Sequence, residues 1–502
     1  MIKEKNFCLS EDKFCEMVDY LKDFHSHNLD LNELENYLNP NGRELIRRLL
    51  IGHLNSRGLG DVGPIVIGSD GLHRSHKRTR SRIIKTLFGD IEIKRIGYSN
   101  RNVHSLFPLD AMLNLPTLNI SYALQKNLIL EIIKSSYDDS IASIERWTGV
   151  KIKKKQAKQI VIDASKDFDE FYEYKQSTEK EEAVDLPLIV LTSDAKGIVM
   201  RKDGLREETK KRAEAKIKKN IKTEPKKTGK EKTDCKRMAT VASVYEIDRF
   251  IRIPEDISNE FFNKCDSKTK KNRPRPIAKR VWASIEKKSE NTLQKMFEEA
   301  LQRKNSDNKE WVVLVDGDLN QIRAIKNISR KFNKNVVIIC DIIHVLEYIW
   351  KAGKVLNEKE EVSHWVSKRF ELILRGQCKT VASGMKRSAT FRKLSKETRE
   401  PIDKCAKYLH NHSEYLFYNE YLKLGYPIAT GIIEGACRYL VKDRMGLTGA
   451  RWGLEGAEAV LKLRSIKISG DFDLYWDFYE KKQYDRNYKV LYQDPSILKA
   501  SS

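Results

Sequence analysis

Three acids in this chain stand where metal-dependent phosphoryl transfer would use them. The apolar run of residues 188–193 leads into Asp194 within "TSDAKG", and the run 311–315 leads into Asp316 within "VDGD". Two carboxylates brought together repel. A divalent cation relieves that repulsion, and hard cations such as Mg²⁺ favour oxygen ligands. A third carboxylate from a facing helix completes a site for two ions about 3.5–4 Å apart, which clamps both oxygens of an in-line displacement. Glu434 fits that place, in "IATGIIEGACRYLVKDRM", where small neighbours leave room for a close approach. Taken singly, each aspartate reads as a turn or helix cap, and Glu434 as a surface helix residue. Asp318 follows Asp316 by two positions and ranks lower, because the turn aims it elsewhere.

A second constellation lies in "VVIICDIIHVLEYIWKAGKVL", residues 336–356. Asp341 and His344 are three apart and share a helical face. We read Asp341 as the helix cap and His344 as orienting a neighbouring carboxylate or contacting a phosphate. The plainer alternative is a cap beside an incidental histidine.

The elements that must position these residues are legible as a pattern. Apolar segments 188–193, 311–315 and 335–340 alternate with helices, which implies parallel strands buried on both faces. Ligands of such open sheets bind at the carboxyl ends of the strands. The spacing predicts a further strand over 237–253 and a long amphipathic helix over 275–302. Residues 345–425 read as helical, and 428–445 as one helix. The lysine-rich stretch 210–236 reads mostly as a mobile excursion, since like charges repel and little apolar surface is available.

The N-terminal third is mostly helical, with a basic hairpin around the "FGD" turn within 81–100. Residues 136–165 outline a helix-turn-helix. Ile141, Ile144 and Trp147 mark the first helix, and Lys153, Lys154, Lys155 and Lys158 lie near the start of the second, within reach of phosphates or bases. The alternative is an ordinary helical hairpin with a solvated lysine face.

Composition agrees with a polyanionic partner. Lys plus Arg number 94 against 71 Asp plus Glu in 502 residues, a formal charge of +23. Phosphate neutralisation with counterion release drives such binding. The eight cysteines are scattered without metal-binding spacing. No signal peptide or membrane-spanning run is legible, so we expect a reduced, cytoplasmic protein.

Four stretches carry a resemblance: "SDAKGIVM", "VVLVDGD", "CDIIHVLEYIWKA" and "ATGIIEGACRYLVKDRMGLTGARWGLEGAEAVLKLR". Together they resemble bacterial insertion-sequence transposases of the ISKra type, in the Mutator-related DDE group. The separations are 122 residues from Asp194 to Asp316 and 118 from Asp316 to Glu434. The resemblance covers about 185–480. It implies an α/β fold: an RNase H-like mixed-sheet core with an all-α insertion, behind a mainly helical DNA-binding region. The first motif reads Asp-Ala-Lys-Gly where Asp-Gly-Lys-Gly is expected, a change that stiffens the turn without removing a carboxylate.

The resemblance implies that Asp194, Asp316 and Glu434 hold Mg²⁺, with Mn²⁺ as substitute, for cleavage of double-stranded element ends and strand transfer into target DNA. It also implies a homodimer or higher oligomer on DNA. A nuclease without strand transfer and a non-catalytic DNA-binding relative are the alternatives. Arg438, one turn from Glu434, and the Arg451–Trp452 pair are candidate DNA contacts, although Trp452 equally suits packing of the last helices. The segments implied are 1–120 (helices and hairpin), 121–182 (helix-turn-helix-like), 183–345 (first part of the core), 346–425 (helical insertion) and 426–502 (the Glu434 helix and C-terminal helices).

Overall fold

The computed structural model describes residues 6–178, 185–220, 235–262 and 272–498. It divides into two compact units. One comprises Met1–Phe171 with Asp471–Ser502, and the other Tyr172–Gly470.

The first unit opens with helices Cys8–Lys22 and Leu31–Ser56, the second started by an Asp30–Glu33 capping box. Short strands β1 (Val66–Ile67) and β2 (His73–Arg74) pair with each other. Strands β3 (His76–Thr86), β4 (Gly89–Asn100) and β5 (Val103–Leu106) form an antiparallel sheet with β4 in the middle. Ile84, Ile91 and Ile93 are buried with Leu109 and Leu115, and Leu50, Ile51 and Leu54 of the long helix pack against them.

Helices Tyr137–Thr148 and Lys154–Asp163 form the expected pair. Gly149 ends the first with a left-handed φ of 72°, a conformation that lacks a Cβ penalty only for glycine. Ile144, Val150, Ile152, Ala157 and Ile160 are buried beneath the turn. Trp147 is not: it is 74% exposed, and only its backbone carbonyl is held, by Arg43. The helical spacing placed it with Ile144, but it stays exposed among the described residues.

The second unit is built on a five-stranded sheet: β6 (Leu188–Val199), β7 (Lys236–Ile247), β8 (Ile277–Ser284), β9 (Glu310–Val315) and β10 (Val336–Cys340). Their order is β10-β9-β6-β7-β8. β10, β9 and β6 run parallel, whereas β6, β7 and β8 form an antiparallel meander. The three expected strands are thus central and parallel. Leu188–Leu191 and Val312–Val315 are wholly buried, as continuous apolar runs require. Each such side chain contributes about 1.5–3 kcal/mol.

Three expectations are corrected. Residues 277–284, read as the start of a long helix, form β8, because pairing with β7 overrides a helix-compatible spacing. The helix itself covers only Ser289–Leu301. Asp194 lies inside its strand rather than at the end, because β6 continues to pair with β7 as far as Val199↔Lys236 after leaving β9 at Thr192. The lysine-rich excursion begins as a helix, Glu207–Asn220, and residues 221–234 lie outside those described.

Between β10 and the Glu434 segment come helices Ile342–Leu356, Val362–Leu374, Cys378–Phe391, Lys396–Asn411 and Tyr418–Lys423. The Glu434 segment is not one α-helix. It is α-helical over Gly431–Ala436, π-helical over Cys437–Lys442 and α-helical again over Asp443–Met445. Helix Leu454–Ile468 buries Glu458, which accepts from Ser284 Oγ and from the backbone N–H groups of Ile285 and Glu286 at the end of β8. No helix among the described residues is long and apolar enough to cross a membrane.

Candidate metal centre

Register lines up three aspartates. Residue pairs between β6 and β9 run to Thr192↔Leu314, and between β9 and β10 to Val315↔Cys340. Continuing each register by one or two residues sets Asp194, Asp316 and Asp341 at one level across three adjacent strands, which in parallel sheets are about 4.8 Å apart. Two hydrogen bonds hold that level. Gln321 Nε2 donates to the Ser193 carbonyl at 3.0 Å, and the Asp341 N–H donates to the Val315 carbonyl at 2.8 Å.

Each acid is held differently. Asp194 Oδ1 accepts from the Ala195 N–H at 2.6 Å, and Oδ2 accepts from Cys437 Sγ at 3.2 Å. Burial, with Asp194 beside it, pushes the Cys437 thiol up, so it stays a donor. Asp316 Oδ1 accepts from the Asp318 N–H at 3.0 Å. Asp318 itself caps helix Leu319–Lys331 through the Asn320 N–H at 2.7 Å. Asp318 nonetheless lines the same cleft as Asp194 and Asp316.

The backbone after Asp316 is gripped by the helical insertion. Tyr408 Oη donates to the Asp316 carbonyl at 2.9 Å, and His412 Nε2 lies 2.7 Å from the Gly317 carbonyl. Gly317 has a φ of 101° and faces the Tyr408 ring so closely that a Cβ would sit 2.6 Å from the hydroxyl.

Asp341 is fully buried and caps helix Ile342–Leu356, accepting from the Ile343 N–H at 2.9 Å. The expected cap is there. Its other oxygen accepts from Thr430 Oγ1, and the Ile342 N–H donates to the Ile428 carbonyl at 3.0 Å. The end of β10 is thereby tied to the start of the Glu434 helix. Asp341, His344 and Glu434 come together, with one ligand atom from each lying within 4.8 Å of the others. This Asp–His–Glu group could hold a metal ion. Burial first, then Asp341 and Asp194, push the Glu434 carboxyl up, whereas His344 pulls it down. Burial likewise raises Asp341. Burial is thus the main cause of both shifts, and only Glu434 is also raised by neighbouring carboxylates.

Asp194 and Asp316 also line a cleft of about 560 Å³. Arg206, Lys236, Arg237 and Lys288 line it too, so carboxylates and cations share one opening. Arg237 is committed to the Ile285, Gly204 and Glu286 carbonyls. Arg206 and Lys288 are exposed.

The sequence-derived DNA contacts fare unequally. Trp452 is buried, its indole N–H donates to the Met445 carbonyl at 3.1 Å, and Arg444 lies over its ring. Its backbone bridges to Met200, just past β6. The packing reading therefore describes Trp452, and stacking on a base does not. Arg451 is exposed. The Arg438 side chain is 80% exposed and lies 3.9 Å from Asp443, on the π-helical segment. Lys153 and Lys155 are exposed on the second helix of the N-terminal pair, Lys158 is half-buried, and Lys154 is paired with Asp138 at 2.5 Å.

Sequence reasoning missed Thr430, Tyr408, His412 and the Cys437–Asp194 bond. Only Cys437 left a signal, by following Glu434 within one turn. The others act across sequence separations of 89 to 95.

Residues 29–222 match the model of an uncharacterised protein family, UPF0236. The match takes in Asp194 and ends before Asp316, Asp341, His344 and Glu434. Its description states no activity. No curated protein matches the chain.

Proposed function

We propose that the chain is a metal-dependent DNA phosphoryl transferase of the DDE transposase type on an RNase H-like core. The observation that carries this is the sheet: a three-stranded antiparallel meander, two further parallel strands beside its first strand, and three aspartates in register, Asp194 within β6 and Asp316 and Asp341 just past the ends of β9 and β10. Glu434 approaches from a later helix, close enough to feel Asp194.

The donor set suits Mg²⁺, because Asp194 and Asp316 offer carboxylate oxygens on an open cleft. When bound there with Glu434, the metal would neutralise charge on the phosphate and lower the pKa of an attacking water or 3′-hydroxyl. The chain's own residues supply the positioning. Cys437 fixes Asp194, the Tyr408–His412 grip fixes the turn of Asp316, and Thr430 fixes Asp341. Arg206 and Lys288 favour a polyanionic strand in the cleft, and the exposed Lys153 and Lys155 favour duplex DNA at the N-terminal helix pair.

An oligonucleotide carrying the element end tests the reading. Incubation with Mg²⁺ should give cleavage and joining for wild type and neither for Asp316→Asn. Cleavage without joining would make the protein a nuclease. Binding without chemistry, unchanged by the substitution, would remove both enzyme readings.

A further inference from the structure

We infer that Asp341, His344 and Glu434 form a second cation site, sharing Glu434 with that of Asp194 and Asp316, that takes a first-row transition ion such as Mn²⁺ or Zn²⁺ in preference to Mg²⁺. The inference deepens the proposed function and rests on it for the cation at Asp194 and Asp316. Binding of the ion itself requires no DNA.

Geometry brings three ligand atoms within 4.8 Å of one another. Two ligands each about 2.1 Å from one ion stand at most about 4.2 Å apart. Small side-chain rotations therefore close the set. Asp341 and His344 are presented by one turn of a single helix, so their spacing is set by the backbone. Glu434 is brought in by a helix whose first turn is tied to Asp341 through Thr430. A hydroxyl donating to a ligating carboxylate is the outer partner that orients such a ligand. Asp341 accepts from the Ile343 N–H and from Thr430, and a carboxylate with about four lone-pair sites keeps acceptor capacity for a cation.

The donor chemistry separates this group from the other acids. Asp194 and Asp316 line the cleft, and none of Asp341, His344 and Glu434 does. Their set is oxygen only, the preference of magnesium. The second set includes an imidazole nitrogen. Imidazole suits zinc, iron and other first-row ions, and magnesium sheds its water shell reluctantly for it. The two sets are near neighbours, because Glu434 feels the charges of both Asp341 and Asp194. One octahedral oxygen site beside one nitrogen-containing site would let a single centre hold two different metals.

The test is calorimetric titration of the chelator-stripped full chain with Mn²⁺, Zn²⁺ and Mg²⁺, with electron paramagnetic resonance counting bound Mn²⁺. Wild type should bind Mn²⁺ and Zn²⁺ at least tenfold more tightly than Mg²⁺ at one site. His344→Ala and Glu434→Gln should each weaken that site ten- to hundredfold, whereas Asp194→Asn with Asp316→Asn should leave it within twofold. Circular dichroism and melting identify any variant that fails to fold. Glu434 is exposed, so its substitution tests the site even where that of His344 disturbs the helix. Unchanged transition-metal affinity in a folded Glu434→Gln protein overturns the inference, and so does loss of the site in the Asp194/Asp316 double variant. Absence of DNA cleavage would overturn the proposed function and leave these titrations standing.

Discussion

Gly317 offers the sharpest test of how the turn of Asp316 is held. Replacing it by alanine acts in two ways. A φ of 101° lies in the left-handed half of conformational space, where an L side chain costs at least about 1–2 kcal/mol. The new Cβ would also sit 2.6 Å from Tyr408 Oη and 2.8 Å from Cε2. The Tyr408 ring cannot retreat freely, since it stacks on Tyr348 at 4.4 Å and on His412 at 4.3 Å between centroids. Overpacking of that kind costs about 1–3 kcal/mol. The sum is roughly 2–5 kcal/mol, and for a unit of this size the melting point should fall by roughly 4–15 °C. Scanning calorimetry measures it. Gly384→Ala is the control. That glycine lies mid-helix with nothing within 4 Å of an added Cβ, so alanine should stabilise by about 0.5–1 kcal/mol. Combining Gly317→Ala with Tyr408→Ala removes the clash, and the two effects should fall short of additivity by about 0.5–3 kcal/mol. Wild-type melting of Gly317→Ala, or strict additivity in the double variant, would refute the grip.

Three further outcomes follow from the same structure. Trp452→Ala should cost about 3–5 kcal/mol in urea unfolding and leave the DNA affinity of the folded protein unchanged, as a buried packing residue requires. Lys155→Ala should weaken DNA binding and lower the slope of log affinity against log salt by about 0.9 in a salt series, if the exposed lysine meets a phosphate. Glu44 is held down to about 2 by the guanidinium of Arg47 and then that of Arg48. Because its folded value lies below its unfolded one, its stabilisation is present above about pH 4.5 and disappears as the pH falls through 2. Urea midpoints of wild type and Glu44→Gln should therefore differ at pH 6 and converge near pH 2.

The sequence was most readable where one physical pattern decided the structure. Continuous apolar runs at 188–193, 311–315 and 336–340 could be satisfied only by burial on both faces, and they became the three parallel strands. Asp341 was legible as a cap for a local reason, since its partner is the N–H two residues on. Where structure depended on distant partners, local spacing misled. Ile277, Val281 and Ile285 fit a helix by their spacing of four, and only the β7 edge makes their segment a strand. Trp147 follows Ile144 by three positions and yet stays exposed among the described residues. The meeting of Glu434 with Asp341 and His344 had no signature in either segment, because Thr430 ties the helices across 89 residues. His344 accordingly lies nearer the centre of the site than its helix alone suggested.

The grip of Tyr408 and His412 on the Asp316 turn also orders events during synthesis. Asp194, Asp316 and Asp341 leave the ribosome well before the residues that fix them. Glu434 follows Asp341, the last of the three, by 93 positions. At about 5–20 residues per second, that gap lasts roughly 5–19 s. Through that interval a growing chain has the aspartates of its parallel strands but neither the insertion that locks Asp316 nor the glutamate that completes the centre. The connection between β10 and the Glu434 helix therefore acts as a delay: the Asp–His–Glu group is complete only once Glu434 has been made.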